Sequence, residues 1–426
     1  MMSNHEHRSC GVLVLGDLRQ TLTVVRSLSR AGYWVVLGRC EAGYAVGKSR
    51  CVADVWEYDV DTEKSPQRFA RALAEYLDSH PEIGCVFPVG EKDISLLTSC
   101  GDLLPRSVAY AMPGETVVKT CLNKIATLRL LGELGVPLAE YRVAEGRDEL
   151  NSAIEGVGYP CIVKAETEQT KIFGLKALVL HSCEELNALI EQWPKGSARW
   201  IVQKYFVGDR RNVYFFAKKG RLLSSVEVHI GRTDRVDGTG YAVEGVSVAP
   251  TASLNESTKR LIERLDYTGV GCTQFLVDET GEKTTFLEIN ARLGANFAIA
   301  YRCGLDLPRW WVESALVESA LGVESPISPA EGAVGKRYCW LYGDVQGFKH
   351  ALFGLDAPVR ELLAWPLRIV RSWLLADTHV TWDWQDPMPS LSKMAEMFSG
   401  PLRRVSSVFA KIPRRWSCTR PDPTLG

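Results

Sequence analysis

No two of the twelve cysteines stand as a Cys-x-x-Cys pair. Cys10, Cys40, Cys51, Cys85, Cys100 and Cys121 are far apart, and so are the remaining six. Structural zinc wants clustered thiolates and imidazoles, so this scatter argues against it; dispersed thiols fit a reducing cytoplasm. Charge of one sign is also lacking: 50 basic residues face 51 acidic ones, a formal net charge of -1. A dedicated nucleic-acid-binding chain would show a basic excess. Nowhere do about 18 uncharged apolar residues run together, as a membrane-spanning helix requires. The nearest stretch, Leu362 to Leu375, is broken by Pro366, Arg368 and Arg371. It reads as an amphipathic helix, packed on its own domain or lying on a membrane surface. Met1 to Arg8 is polar, which predicts no signal peptide.

Two nucleotide-binding motifs are absent as well. The first turn, Gly16-Asp17-Leu18-Arg19-Gln20, lacks the second and third glycines of a dinucleotide fingerprint. Val46-Gly47-Lys48-Ser49 looks like the end of a P-loop, but the glycine required five positions before Gly47 is Ala42. Cys51 to Tyr58 then reads as a strand, where a P-loop would open a helix.

What is present begins with an apolar run, Gly11 to Leu15, a helical pattern from Thr21 to Ala31, and a second apolar run, Tyr33 to Leu37. That alternation predicts an α/β domain with a parallel sheet. Ser65 and Pro66 announce a helix reaching Ser79, followed by a strand at Cys85 to Val89 and a helix at Lys92 to Ser99. From Glu115 to Leu134 the pattern is helical until Gly135-Val136-Pro137 stops it. Alternating segments then predict strands at Ile162 to Lys164, Leu175 to Leu180, Trp200 to Tyr205, Asn212 to Ala217, Leu222 to Ile230, Val270 to Val277 and Thr284 to Ile289. This middle region is α+β with mostly antiparallel strands. Beyond Ser328, tryptophan and proline rise and the pattern becomes mainly helical. Residues 1–115, 116–328 (with a lid subdomain at about 140–205) and 329–426 are the expected domains.

The sharpest feature is a hairpin: Thr273-Gln274-Phe275-Leu276-Val277-Asp278, a loop centred on Gly281, and Thr284-Thr285-Phe286-Leu287-Glu288-Ile289-Asn290. Symmetry about Gly281 sets Gln274 opposite Glu288. The period of a strand puts Glu288 and Asn290 on one face, with Leu287 and Ile289 on the other. One carboxylate with two amide oxygens is a poor zinc set; it suits magnesium shared with phosphate oxygens. On spacing alone the same residues could form a solvated polar face.

Phe286-Leu287-Glu288-Ile289-Asn290-Ala291-Arg292 resembles the Glu-x-Asn-x-Arg signature of the ATP-grasp superfamily. Asn123-Lys124, Tyr159-Pro160-Cys161-Ile162-Val163-Lys164, and Gln203-Lys204-Tyr205-Phe206 followed by Gly208-Asp209 resemble that superfamily's phosphate-binding lysines and its adenine and ribose hinge, in the same order. The match runs roughly from Lys119 to Leu321. The C-terminal region, best marked at Trp382-Asp383-Trp384-Gln385-Asp386-Pro387-Met388-Pro389, resembles that of ATP-grasp carboxylate–amine ligases. The resemblance implies an N-terminal pre-ATP-grasp domain before the ATP-grasp domain. It implies ATP and Mg2+, with Mn2+ as a substitute, held by Gln274, Glu288 and Asn290. Lys124, Lys164, Lys176, Gln203, Lys204, Tyr205, Phe206 and Asp209 would bind nucleotide, and Arg292 with Lys164 would act on the transferring phosphoryl group.

The implied activity is ligation of a small carboxylate to an amine through an acyl phosphate, releasing ADP and phosphate, in a cytoplasmic protein. Transfer to a thiol and a catalytically inactive nucleotide-binding regulator are the alternatives, and a homodimer stays open. Arg232, in Gly231-Arg232-Thr233-Asp234-Arg235, and Glu91 resemble substrate residues, and Ser49-Arg50 lies where relatives face the crevice. The sequence departs from the superfamily in its phosphate-covering loop. Ala165 to Gly174 holds a single glycine, leaving Lys171 or Lys176 to supply the positive charge. The stretch with Arg403, Arg404, Lys411, Arg414, Arg415 and Arg420 reads as a solvated basic tail, or else as a contact for a membrane or an acidic carrier.

Overall fold

The computed structural model of the protein describes residues 10–167, 170–194, 198–321, 330–354 and 357–399. Glu168 and Gln169 of the covering loop, and the basic tail, lie outside the described residues.

Five apolar residues make β1 (Gly11–Leu15), which is buried along its whole length. It pairs in parallel with β2 (Trp34–Arg39). With β3 (Asp54–Glu57), β4 (Ile83–Pro88) and β5 (Ala109–Tyr110), these strands form an all-parallel sheet of order β3-β2-β1-β4-β5. The order reverses between β1 and β4, so a crevice opens at the C-terminal ends of those two strands. Gly16 follows β1 with φ +102°, where a Cβ would lie 2.5 Å from Asp93 Oδ2. Only glycine fits so tight a turn, and the turn leads into Arg19. On the other side of the crevice, Gly90 caps the helix Glu91–Cys100, which places Glu91 at its first residue.

Glu115 to Leu134 forms two helices, Glu115–Leu122 and Lys124–Glu133, instead of the single one expected. Asn123 takes an extended conformation between them, and its side chain accepts from Ala126 N. That cap leaves Lys124 at the positive end of the second helix.

A second sheet is antiparallel, of order β6-β9-β7-β8, from β6 (Tyr141–Ala144), β7 (Cys161–Ala165), β8 (Ala177–Leu180) and β9 (Trp200–Lys204). Trp193 and Trp200 fill its own core. The third and largest sheet starts with β10 (Asp209–Lys218), β11 (Arg221–Thr233), β12 (Ala242–Val248), β13 (Gly269–Val277) and β14 (Thr284–Asn290). Three short strands from the C-terminal region, β15 (Ala330–Glu331), β16 (Arg337–Cys339) and β17 (Thr378–His379), complete it. One face shares a core with β1 and β4, through Tyr214, Val226 and Val228. The other face, with Phe215, Phe275 and Phe286, packs under helices.

The C-terminal region is otherwise helical, with helices Leu341–Gly354, Val359–Leu375 and Met388–Ser399. The Trp382–Pro389 segment has a structural reason to be distinctive. Its Asp386 is 3% exposed and accepts from Arg26 Nε at 2.9 Å, Ser49 Oγ at 2.7 Å and Arg50 N at 3.0 Å. Ser49 therefore faces Asp386, where the resemblance had set it toward the crevice. Removing one partner of a buried ion pair leaves the other charge desolvated, at about 3–5 kcal/mol. Asp386→Ala is expected to lower the unfolding free energy by about that much, read by chemical denaturation. A loss under about 1 kcal/mol would contradict this role.

Candidate active site

The site starts from strand register. Asn212 on β10 pairs with Gln274 on β13, and Gln274 pairs with Glu288 on β14. The next row runs Tyr214, Cys272, Asn290. Directly paired residues on antiparallel strands share a face, so Asn212, Gln274, Glu288 and Asn290 form one polar patch, bordered by the buried Tyr214 and Cys272. The Gln274–Glu288 pairing agrees with the hairpin reading, but it is reached differently. Val277 pairs with Thr284 and Phe275 with Phe286, so the hairpin is not symmetric about Gly281. Leu287 is left without a partner, and this bulge shifts the register by one residue. Phe286 and Ile289 both reach the core beneath, while Leu287 does not join it.

Asn290 Nδ2 donates to Glu288 Oε1 at 3.0 Å, so the two side chains already converge. Among the described residues no three His, Cys, Asp or Glu side chains cluster as a metal cage. One carboxylate beside two amides fits a hard cation whose remaining ligands are phosphate oxygens.

Arg292 follows β14 directly and crosses to the N-terminal domain. Its Nε and Nη2 donate to Glu91 Oε1 at 3.1 and 2.8 Å, and Nη1 donates to Leu293 O at 3.1 Å. Two residues singled out separately in sequence, 201 positions apart, thus meet at the crevice. Burial, then the charge of Glu288, pushes the Cys272 thiol up, with Arg292 and Arg210 opposing. That thiol is therefore an inert neighbour, not a nucleophile.

Lys164 Nζ donates to Gln203 Oε1 at 3.2 Å, on neighbouring strands β7 and β9. Lys204 Nζ donates to Tyr159 O at 3.1 Å, and Tyr205 N to Pro160 O at 3.1 Å. A Cβ on Gly208 would lie 2.9 Å from the Phe206 ring and 2.5 Å from Val277 O, which brings this hinge against the end of β13. Asp209 Oδ2 lies 3.3 Å from His229 Nε2. The covering loop is tied to the start of the Lys124 helix: Asn123 Nδ2 donates to Glu166 Oε1 at 2.7 Å, and Lys124 N to Glu166 O at 3.1 Å. Arg199 also binds Glu166. Lys171 is exposed, and Lys176 reaches over the Tyr241 ring at 5.9 Å.

Arg232 requires a correction. Its guanidinium is held by Asp344 at 3.1 and 2.5 Å and by Glu244 at 3.2 Å. Trp365 Nε1 donates to the same Asp344 at 2.6 Å. With two carboxylates already on its fork, Arg232 joins β11 to the C-terminal helices and is not placed to receive a substrate.

The cations open to a ligand are others. Arg19 is 6% exposed, its Nη1 is buried without a hydrogen-bond partner, and it makes no ion pair among the described residues. It lies 3.6 Å from the Trp340 ring and 5.5 Å from Tyr241. Burial pulls its pKa down, with Tyr44 and Tyr338 opposing. Arg210 stands two residues before Asn212 on the same face; its Nε is also buried and unpartnered. Burial pushes the Tyr338 hydroxyl up to about 12, with Arg210, Asn296 and Arg19 opposing, so both guanidinium groups act on one phenol. Asn212 Oδ1 and Asn296 Oδ1 are likewise buried without partners. A buried guanidinium with no ion pair among the described residues, as at Arg19, costs several kcal/mol, and Arg210, half-buried with Nη1 donating to Gly240 O at 3.2 Å, adds a second positive charge; together they suit this end to an anion. Arg19 was legible only as a residue following the first strand. Arg210 and Asn212 lie in the polar start of their strand, Asp209-Arg210-Arg211-Asn212, where no alternation sets them apart before the apolar run from Val213 to Ala217.

Removal of the Lys164 ammonium is expected to weaken ATP binding about tenfold, whereas Lys219→Ala leaves it unchanged. Equal affinities by calorimetric titration would remove Lys164 from the nucleotide site.

The chain is similar to known proteins over part of its length. The family model for the ATP-binding domain of the carbamoyl-phosphate synthase L chain matches residues 228–319. A D-alanine–D-alanine ligase from Desulforudis audaxviator is 26% identical over 194 residues, 43% of this chain and 62% of that protein. A formate-dependent phosphoribosylglycinamide formyltransferase from Sulfurisphaera tokodaii is 24% identical over 241 residues, 52% of this chain and 58% of that protein. The chain thus spans about three fifths of the length of these two relatives. Among solved structures, the biotin carboxylase domain of Hydrogenobacter thermophilus 2-oxoglutarate carboxylase, in complex with MgADP and bicarbonate, has a TM-score of 0.58 at 16% identity. That likeness in fold covers 77% of this chain and 73% of the other.

Proposed function

The chain belongs to the ATP-grasp superfamily, and on that footing we propose that it is an ADP-forming ligase joining a small carboxylic acid to an amine. The observation that carries this reading is the Arg292–Glu91 contact. It sets the end of the Gln274–Glu288–Asn290 patch against the crevice of the N-terminal domain.

Gln274, Glu288 and Asn290 fit Mg2+ shared with ATP phosphates. When bound, the cation neutralises charge on the phosphate oxygens and polarises the γ-phosphoryl group. Lys124 and Lys164 add positive charge around the phosphates, while Gln203, Lys204, Tyr205 and Phe206 hold the base and ribose. Arg19 and Arg210 draw the acid into the crevice and orient it. An oxygen of its carboxylate attacks the γ-phosphorus, ADP leaves, and an acyl phosphate forms. Arg292 meets the charge that develops on that group. The amine nitrogen, positioned by Glu91, then attacks the acyl carbon, and phosphate departs with the carboxylate's oxygen. D-alanine–D-alanine ligase and the formate-dependent formyltransferase, by their names, also handle an acid or a formyl group, which supports the substrate class.

The test is a screen of acid and amine pairs read by ADP release and mass spectrometry. With the correct acid, hydroxylamine in place of the amine yields a hydroxamate, and Arg19→Met raises KM for the acid without changing KM for ATP. Release of AMP and pyrophosphate overturns the proposal, as does ATP turnover that no acid stimulates.

A further inference from the structure

The helix Val359–Leu375 carries Pro366 inside it and, along it, an apolar stripe that no described residue covers. Val359, Leu363, Leu367, Val370 and Leu374 are 72%, 72%, 73%, 56% and 75% exposed. Their spacing of four, four, three and four residues puts them on one face, along about 25 Å of helix. The opposite side anchors the helix: Trp365 is 3% exposed and bonded to Asp344. The helix therefore packs on its own domain by one edge while offering its leucines outward. That arrangement combines both readings left open by the sequence.

Charge decides what the stripe fits. The helix holds three arginines and one acid, with Glu361 paired to Arg368 at 2.6 Å. Arg360 and Arg371 are exposed beside the stripe. Stripe-to-stripe pairing of two copies would gather these arginines along one seam, where like charges repel; an anionic surface would be attracted by both. In the last turn of the helix Trp373 meets Trp382, and Trp382 meets Trp384, which is 76% exposed. Tryptophan at the boundary between apolar and wet surroundings is the chemistry of a lipid headgroup layer. By sequence, the segment after Gly400 adds six basic residues against the single acid Asp422. No described helix is long and apolar enough to cross a membrane, so the contact is one of lying on the surface.

We propose that this helix docks, leucines inward, on an anionic membrane surface, holding the protein at the bilayer as a peripheral component. The full chain should co-sediment with vesicles of phosphatidylcholine containing about 30 mol% phosphatidylglycerol, at least about tenfold better than with phosphatidylcholine alone. Leu363→Glu with Leu367→Glu abolishes binding to both, and the thermal unfolding midpoint stays unchanged because both positions are exposed. Arg360→Glu with Arg371→Glu cuts the preference for phosphatidylglycerol several-fold, the basic residues after Gly400 keeping the remainder, and leaves binding to the apolar interface. Equal sedimentation of the wild type and the double-leucine variant would overturn the proposal. A concentration-dependent dimer in sedimentation velocity that the leucine variant dissolves would also overturn it, by assigning the stripe to a second copy.

Discussion

Glu288→Gln is expected to cut magnesium-dependent ATP turnover by about 100-fold or more while leaving stability within about 0.5 kcal/mol of wild type. Glu288 is the one carboxylate in the patch formed with Gln274 and Asn290. A third amide in its place leaves a set with no formal negative charge, which holds a hard cation weakly. The side chain is half-buried and makes no ion pair among the described residues, so the fold has little to lose. Asn290→Ala should act in the same direction and less strongly, because it removes a neutral oxygen. The check is steady-state turnover as a function of Mg2+, together with Mn2+ binding to the nucleotide complex followed by electron paramagnetic resonance. Wild-type metal affinity in both variants would take the hairpin out of the site.

Arg292→Ala is expected to lower kcat by about 100- to 1,000-fold with little change in nucleotide affinity. The guanidinium reaches the crevice from the end of β14, and its proposed role is to meet charge that grows as the carboxylate oxygen bonds to phosphorus. An interaction made chiefly in the transition state shows in kcat. Arg292→Lys should recover little, since a point charge does not reproduce two parallel N–H donors. Glu91→Gln separates the partners. It breaks the ion pair at 2.8 Å, and its effect should appear mainly as a raised KM for the amine. If Arg292→Ala and Glu91→Gln gave the same kinetic pattern, the contact would be only a clasp between domains.

Much of this architecture was legible where period and punctuation agree. β1, β2 and β4 are short apolar runs between glycines, and the parallel sheet follows from their alternation with helices. The pairing of Gln274 with Glu288 was legible from the hairpin, although the bulge at Leu287 was not. A bulge is set by how Phe286 and Ile289 reach one core, which the alternation of a single strand does not show. Arg232 was misread because its partner Asp344 lies 112 residues away, and nothing local distinguishes an arginine waiting for a ligand from one already paired. The same distance hid the reason for Asp386, whose partners Arg26 and Ser49 are 360 and 337 residues away. Three strands of two or three residues in the C-terminal region are too short to show any period. Asn123 shows the local case: its capping side chain divided a helical pattern that composition alone left continuous.

The segment Ala165 to Gly174, proposed to cover the phosphates, is poor in glycine, and its described start is anchored. Glu166 is gripped by Asn123 and Arg199, and Lys176 extends over Tyr241 beside Arg19. Glu166 thus ties the start of this segment to the start of the Lys124 helix, and Lys176, just after the segment, lies over Tyr241. Lysine charge can take over part of the work done elsewhere by backbone N–H groups on glycine-rich turns.

The central claim is an acyl phosphate made from the acid and the γ-phosphoryl group. Transfer of 18O tests it most directly. The acid identified by the screen, labelled with 18O in both carboxylate oxygens, is turned over with ATP, Mg2+ and the amine, and the phosphate and nucleotide products are weighed by mass spectrometry. The account predicts one 18O in each phosphate released, one retained in the amide product, and none in ADP. Label appearing in AMP, or phosphate free of 18O, would contradict it.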